Sequence, residues 1–219
     1  MRTAFLYISI LLILFSTAPL SSNACTEFRL TSKDKSVVIG RSMEFAQKLN
    51  SNVVVQPKGQ KRTSKLPDGS DGKKWTSKYG VIYLDGFGLD IATDGFNEAG
   101  LSVGELYFPG EAKFVEALKK NKSRAISNLD LPLYILQNFA TIEEVRKELP
   151  KLTVWGEQLE VLNNIVVPVH YAVYQADGQG IVIEYSDQGL TIFESVGVMT
   201  NSPKYDWHVT NLRNYVDLN

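Results

Sequence analysis

A chain of 219 residues, 44% of them hydrophobic and 21% charged, has the size and make-up of one globular domain with a sizeable core. Its formal net charge of −1 gives no electrostatic case for nucleic acid or an anionic membrane surface as a partner. A single cysteine excludes an internal disulfide, and two distant histidines, His170 and His208, carry no zinc-ligand spacing. With no phosphate-loop or dinucleotide-binding motif either, the sequence asks for no cofactor.

The chain opens on Arg2, an apolar run from Ala4 to Phe15, Pro19, and then Ser22-Asn23-Ala24. That order is the layout of a secretory signal peptide, and the apolar run is shorter than the roughly 20 residues a membrane-spanning helix needs. Residues 1–24 are therefore expected to be a removable signal and residues 25–219 one domain. The mature protein is expected to be exported, to the periplasm or beyond, without membrane contact. Cleavage after Ala24 places a thiol and a free α-amine on the same residue, Cys25. Three readings of that cysteine compete. It can be a small buried side chain. It can be a lipid-anchored residue, although Ser22 stands where such sites want a large aliphatic one. Or it can be an N-terminal nucleophile whose α-amine, with an ordinary pKa near ~7.7–8.0, serves as the base.

From Cys25 to Leu30 the pattern alternates as a strand, Ser32 to Lys35 makes a polar turn, and Ser36 to Ser42 returns as a second strand. The hairpin brings Arg41 back toward Cys25, since antiparallel partners lie about 5 Å apart. Asn52 to Gln56 is a further strand stopped by Pro57, and the lysine-rich stretch Lys58 to Lys74 reads as a solvated loop. Strands follow at Lys78 to Leu84, Asp90 to Asp94 and Leu101 to Tyr107, the last two separated by the turn Asn97-Glu98-Ala99-Gly100. The periodicity then changes. Leu131 to Phe139 has helical spacing with Asp130 as N-cap, and Thr141 to Glu144 forms a capping box for a second helix ending before Pro150. His170 to Ala176 and Ile181 to Ser186 make a hairpin across Asp177-Gly178-Gln179-Gly180. Thr191 to Ser195 and Gly197 to Thr200 continue the sheet, and Trp207 to Val216 is a last helix. Strands, then helices, then strands imply an α+β fold of largely antiparallel sheets. Each histidine is more simply structural than one half of a dyad with Cys25.

Five segments in order carry a resemblance: Cys25-Thr26-Glu27-Phe28, Gly40-Arg41-Ser42-Met43-Glu44-Phe45, Asn97-Glu98-Ala99-Gly100-Leu101, Tyr107-Phe108-Pro109-Gly110, and Thr200-Asn201-Ser202-Pro203 with Asn211-Leu212-Arg213-Asn214-Tyr215. Together they resemble the choloylglycine hydrolase family, which contains bile salt hydrolases and penicillin V acylases. The resemblance implies an N-terminal nucleophile αββα sandwich, two stacked antiparallel sheets flanked by helices, that hydrolyses small acyl amides such as penicillin V, conjugated bile salts or acyl-homoserine lactones. It implies Cys25 as nucleophile and Arg41 as an active-site arginine whose charge beside the sulfur would favour a thiolate. Glu44 stands where the family has an aspartate accepting from the α-amine, at the cost of one extra methylene. Asn201 matches the oxyanion-hole asparagine and the main-chain N–H of Tyr107 the second donor. Tyrosine at 107 tilts the substrate toward that of an acylase. Family members continue past the Asn211–Tyr215 segment with more strands and another active-site arginine, for which Arg213 does not stand in, so the domain is expected to be C-terminally incomplete, poorly soluble and weakly active. The alternatives from other classes are a catalytically inactive acyl-amide binder and a lipid-anchored binding protein; homo-oligomerisation stays open.

Overall fold

The computed structural model describes residues 25–115 and 121–215, so the signal-peptide expectation lies outside the described residues. Two sheets carry the fold. The larger has seven strands: β3 (Val53–Gln56), β6 (Val81–Gly86), β7 (Leu89–Asn97), β8 (Ser102–Tyr107), β13 (Val169–Tyr174), β14 (Gly180–Ser186) and β15 (Gly189–Glu194). They run in the order β15-β14-β13-β8-β7-β6-β3, every neighbour antiparallel. The smaller has the order β16-β1-β2, with β1 (Thr26–Thr31), β2 (Val37–Ser42) and β16 (Val198–Thr200).

The reason for two layers lies in the centre of the large sheet. Strands β13 and β14 are buried along their whole length, so both faces need cover. On one face lie α1 (Leu131–Asn138) and α2 (Ile142–Glu148). Leu131, Leu133, Ile135 and Leu136 join Val103, Tyr171, Val173 and Ile183 in the main core. On the other face the small sheet contributes Cys25 and Met199 to a second cluster with Leu106, Ala172, Tyr174 and Val182. The helix α3 (Tyr205–Leu212) joins that cluster through Tyr205 and Val209.

The capping box is present: Thr141 accepts from the Glu144 N–H, and the Glu144 carboxylate accepts from the Thr141 N–H, satisfying two of the helix's unpaired donors. Asp130 occupies the N-cap position of α1 but makes no side-chain cap hydrogen bond, because its own backbone is already helical (φ −79°, ψ −20°).

Three expectations change. Lys58 to Lys74 is no loop: β4 (Lys61–Lys65) and β5 (Asp71–Thr76) form an antiparallel hairpin. Lys61, Lys65 and Lys74 point to solvent while Ser64, Gly72 and Trp75 face inward, and with one of those three small and polar and another a glycine the alternation is hidden from a hydropathy reading. A β-carbon on Gly72 would lie 2.6 Å from the Ala125 carbonyl oxygen, so glycine is what lets the hairpin pack this closely. The segment Gly197 to Thr200 does not continue the large sheet; β16 crosses to pair with β1. The last helix ends at Leu212, with a single 3₁₀ turn, Arg213–Tyr215, after it; Val216 lies outside the described residues. A short parallel pair, β9 (Ala125–Ser127) with β10 (Thr153–Trp155), was not legible in the sequence.

Candidate active site

Cys25 heads β1 and is 3% exposed. Thr26 pairs with both Ser42 and Thr200, so the register sets Cys25 between the ends of β2 and β16. Its carbonyl accepts from the Thr200 hydroxyl at 2.8 Å. Its sulfur accepts from the Glu44 N–H at 3.3 Å and lies 3.4 Å from the Glu44 carbonyl oxygen. Glu44 is exposed and meets Cys25 through its main chain.

Arg41 pairs across β1 with Glu27, not with Cys25. Its guanidinium donates to the Thr93 carbonyl at 3.2 Å, to the Asp94 carboxylate and to the Glu105 carbonyl, and so spans from the small sheet to β7 and β8. It shares a cavity with the sulfur, but no hydrogen bond joins the two among the described residues. Around this cation gather three carboxyls that the sequence did not single out. Burial, reinforced by Asp94 and opposed by Arg41, pushes Glu27 up to about 8. Burial pushes Asp94 up to about 6, with Arg41 pulling the other way. Glu105 is raised to about 8 by burial, against the attraction of Arg41. Glu27 crosses from β1 to Gly104 on β8, where the absent side chain makes its room: a β-carbon at 104 would meet Glu27 Oε2 at 1.8 Å and Asp94 Oδ1 at 2.8 Å.

Asn201 and Tyr107, 94 positions apart, meet directly. The Tyr107 N–H donates to Asn201 Oδ1 at 3.1 Å, which turns the Asn201 amide nitrogen to the other side. Both histidines support this corner. His170, buried and stacked on Phe108 at 4.2 Å, lies 3.0 Å from the Thr200 carbonyl and 3.1 Å from Glu184 Oε1; burial pulls its imidazole below the ordinary value. His208 Nε2 lies 3.0 Å from the Asn201 carbonyl, the tautomer following from that acceptor. The two histidines thus hold the main chain on which Asn201 sits.

Two cavities adjoin these groups. One of 50 Å³ is lined by Cys25, Arg41, Glu105, Tyr107 and apolar side chains including Met43, Phe45 and Ile91. The other, 1030 Å³, opens between the sheets over β3, β6 and β7; Arg41, Met43, Phe45 and Leu49 line both.

A thiol at the head of a strand, held between two facing antiparallel sheets of which the larger is covered by α1 and α2, places the chain in the class of α+β sandwiches of the N-terminal nucleophile hydrolase type. The chain belongs to the choloylglycine hydrolase family of linear amide C–N hydrolases, whose family model matches residues 25–219. It is 32% identical to a conjugated bile acid hydrolase of Lactobacillus acidophilus over 197 residues, 89% of this chain and 60% of that protein. A crystal structure of a conjugated bile acid hydrolase variant from Clostridium perfringens superposes with a TM-score of 0.77 at 30% identity, covering 89% of this chain and 58% of that one. The penicillin V acylase of Agrobacterium tumefaciens gives 0.73 at 29% identity, with the same coverage of each chain. The chain spans about three fifths of the length of these relatives.

Proposed function

We propose that this protein, exported and trimmed after Ala24, hydrolyses the C–N bond of small acyl amides through Cys25. The observation that carries the reading is the single corner where a buried thiol, the Tyr107 N–H and the Asn201 amide come together from three separate strands or strand ends. The Cys25 sulfur attacks the amide carbonyl carbon, its proton passing to the freed α-amine of the same residue. That nitrogen then protonates the leaving amine as the C–N bond breaks, leaving a thioester on Cys25. Water, deprotonated by the α-amine, cleaves the thioester and releases the carboxylic acid. The Asn201 amide and the Tyr107 N–H take the developing oxyanion, which requires Asn201 Oδ1 to release that N–H as the substrate enters. Glu44, placed by its main chain against the sulfur, is the acceptor for the α-ammonium.

The 50 Å³ cavity at Cys25 adjoins the 1030 Å³ one through Arg41, Met43, Phe45 and Leu49, and tyrosine at 107 tilts the substrate toward the penicillin V type over a bile salt conjugate. Intact mass of the exported protein tests the first step, with residue 25 unmodified at the N-terminus as the expected result. Turnover of penicillin V and of glycine-conjugated bile acid tests the second. Cys25→Ser should fold with the same circular dichroism and thermal melt yet retain less than about a hundredth of the hydrolysis, because a hydroxyl is a much weaker nucleophile at neutral pH. Wild-type turnover by the serine variant removes Cys25 from the mechanism, absence of turnover by the wild-type chain favours a binder, and a lipid on Cys25 favours an anchored protein.

A further inference from the structure

The mechanism leaves Glu105 unused. The residue keeps some accessible surface although its carboxyl lies deep among protein atoms, and it lines the 50 Å³ cavity together with Cys25. Its Oε2 is shielded from solvent and has no hydrogen-bond partner, and no hydrogen bond to either carboxylate oxygen is formed by the described residues. Arg41 reaches the main-chain carbonyl of Glu105 rather than its side chain. The rest of the cavity wall is largely apolar, with Met43, Phe45, Ile91, Leu129 and Leu159 in it. A buried carboxyl without a partner costs free energy, so a group that stays there in an apolar wall is one that a ligand can satisfy.

We propose that Glu105 determines specificity in the cavity beside Cys25: its carboxyl hydrogen-bonds an acceptor oxygen of the acyl group, so the site takes short acyl amides bearing an ether or keto oxygen near the carbonyl over their hydrocarbon isosteres. This rests on the amide-hydrolase reading of Cys25. The carboxyl must donate, and it holds its proton up to about pH 8. The ionisable groups around it are Arg41 from β2, which opposes that proton, Asp94 from β7, which favours it, and Tyr171 from β13, itself raised by burial and by Glu105; Cys25 and Tyr107 share its cavity. A volume of 50 Å³ leaves room for a few chain atoms beyond the carbonyl, which puts the oxygen close to the thioester carbon rather than at a distal tail.

The test compares N-(propoxyacetyl)glycine with N-hexanoylglycine, which match in chain length and differ by one oxygen for one methylene. Hydrolysis by the full mature chain is followed for both, and binding of both to its Cys25→Ala form is measured by calorimetry. The ether compound should be favoured about tenfold in KM and in Kd, with little difference in kcat. The preference should fade as pH rises through about 8, where the donor is lost. Glu105→Gln, which still donates, should keep the preference and make it independent of pH; Glu105→Leu should abolish it. Equal KM values for two hydrolysed compounds, or a preference that survives Glu105→Leu, overturns the assignment of Glu105 and leaves Cys25 untouched. A preference in binding without hydrolysis supports Glu105 and sinks the hydrolase reading. Binding of neither compound sinks both.

Discussion

At the scale of single residues, the region around Cys25 and Arg41 divides between groups that the proposed mechanism puts on the reacting atoms and carboxyls that burial keeps protonated. On that mechanism Asn201 belongs to the first kind. Its amide is the only side chain seen at the Tyr107 N–H among the described residues, so Asn201→Ala is expected to lower kcat by about 10²–10³ with KM nearly unchanged. A loss confined to KM would make it a substrate-binding group instead. Glu27 belongs to the second kind. Unfolded, its carboxyl titrates near 4.5; folded, it keeps its proton to about 8. Protonation therefore favours the folded chain. The stabilisation is complete below the unfolded value and is lost as pH climbs through the folded one, with a slope of at most about 1.4 kcal/mol per pH unit for one proton. Asp94 and Glu105 push in the same direction. Melting temperature should then fall between about pH 5 and about pH 8.5. Glu27→Gln has no proton to lose and should flatten that fall; parallel curves for the two proteins would show that Glu27 does not titrate as argued.

At the scale of elements, the site depends on how closely β1 approaches β8. Gly104 is the contact, because Glu27 and Asp94 fill the space where its side chain would be. Gly104→Ala is expected to destabilise the fold by about 1–3 kcal/mol, the usual cost of forcing atoms into a filled layer. Adding Glu27→Ala should return much of that loss, and a double-mutant cycle in urea measures the coupling. If the two changes simply add, the two sheets have room that the packing around Gly104 denies. The same layer explains the position of His170. It bridges β13, Glu184 on β14 and Thr200 on β16, fastening the strand end that presents Asn201.

At the scale of the whole molecule, the small sheet covers only part of the large one. The 1030 Å³ cavity lies over the uncovered part, where Val38, Val53, Leu84 and Phe96 are exposed at 55%, 66%, 36% and 57%. β2 and β3 are also the edge strands on this side of their sheets. Apolar side chains beside unpaired strand edges recruit other polypeptide. The chain comprising residues 25–219 is expected to bind a polarity-sensitive dye in this cleft and to self-associate at micromolar concentration. Val38→Lys combined with Val53→Lys should reduce both, read by dye fluorescence and light scattering. Unchanged signals would mean that the cleft is not the apolar surface responsible.

The sequence by itself determined most of the elements and the residue that heads the fold. Period-two alternation, the capping box at Thr141 and turn residues at Asp177-Gly178 act between near neighbours in the chain, so their signals are local and survive without the fold. The segments that carried the family resemblance are local in the same sense, and the match over residues 25–219 agrees with them. The pairing of β16 with β1 was invisible, because a short apolar strand fits the edge of either sheet and only the competition between them decides. The hairpin of β4 and β5 was masked because two of its inward residues, Ser64 and Gly72, are not hydrophobic, which leaves Trp75 as an isolated apolar signal among lysines. Glu27, Asp94 and Glu105 each look like a surface carboxylate in a strand. Only the tertiary fold takes them out of water: Glu27 and Asp94 meet beside Arg41 where the two sheets stack, Glu105 lies opposite Tyr171 on the helix-covered side of β8, and the loss of water raises all three.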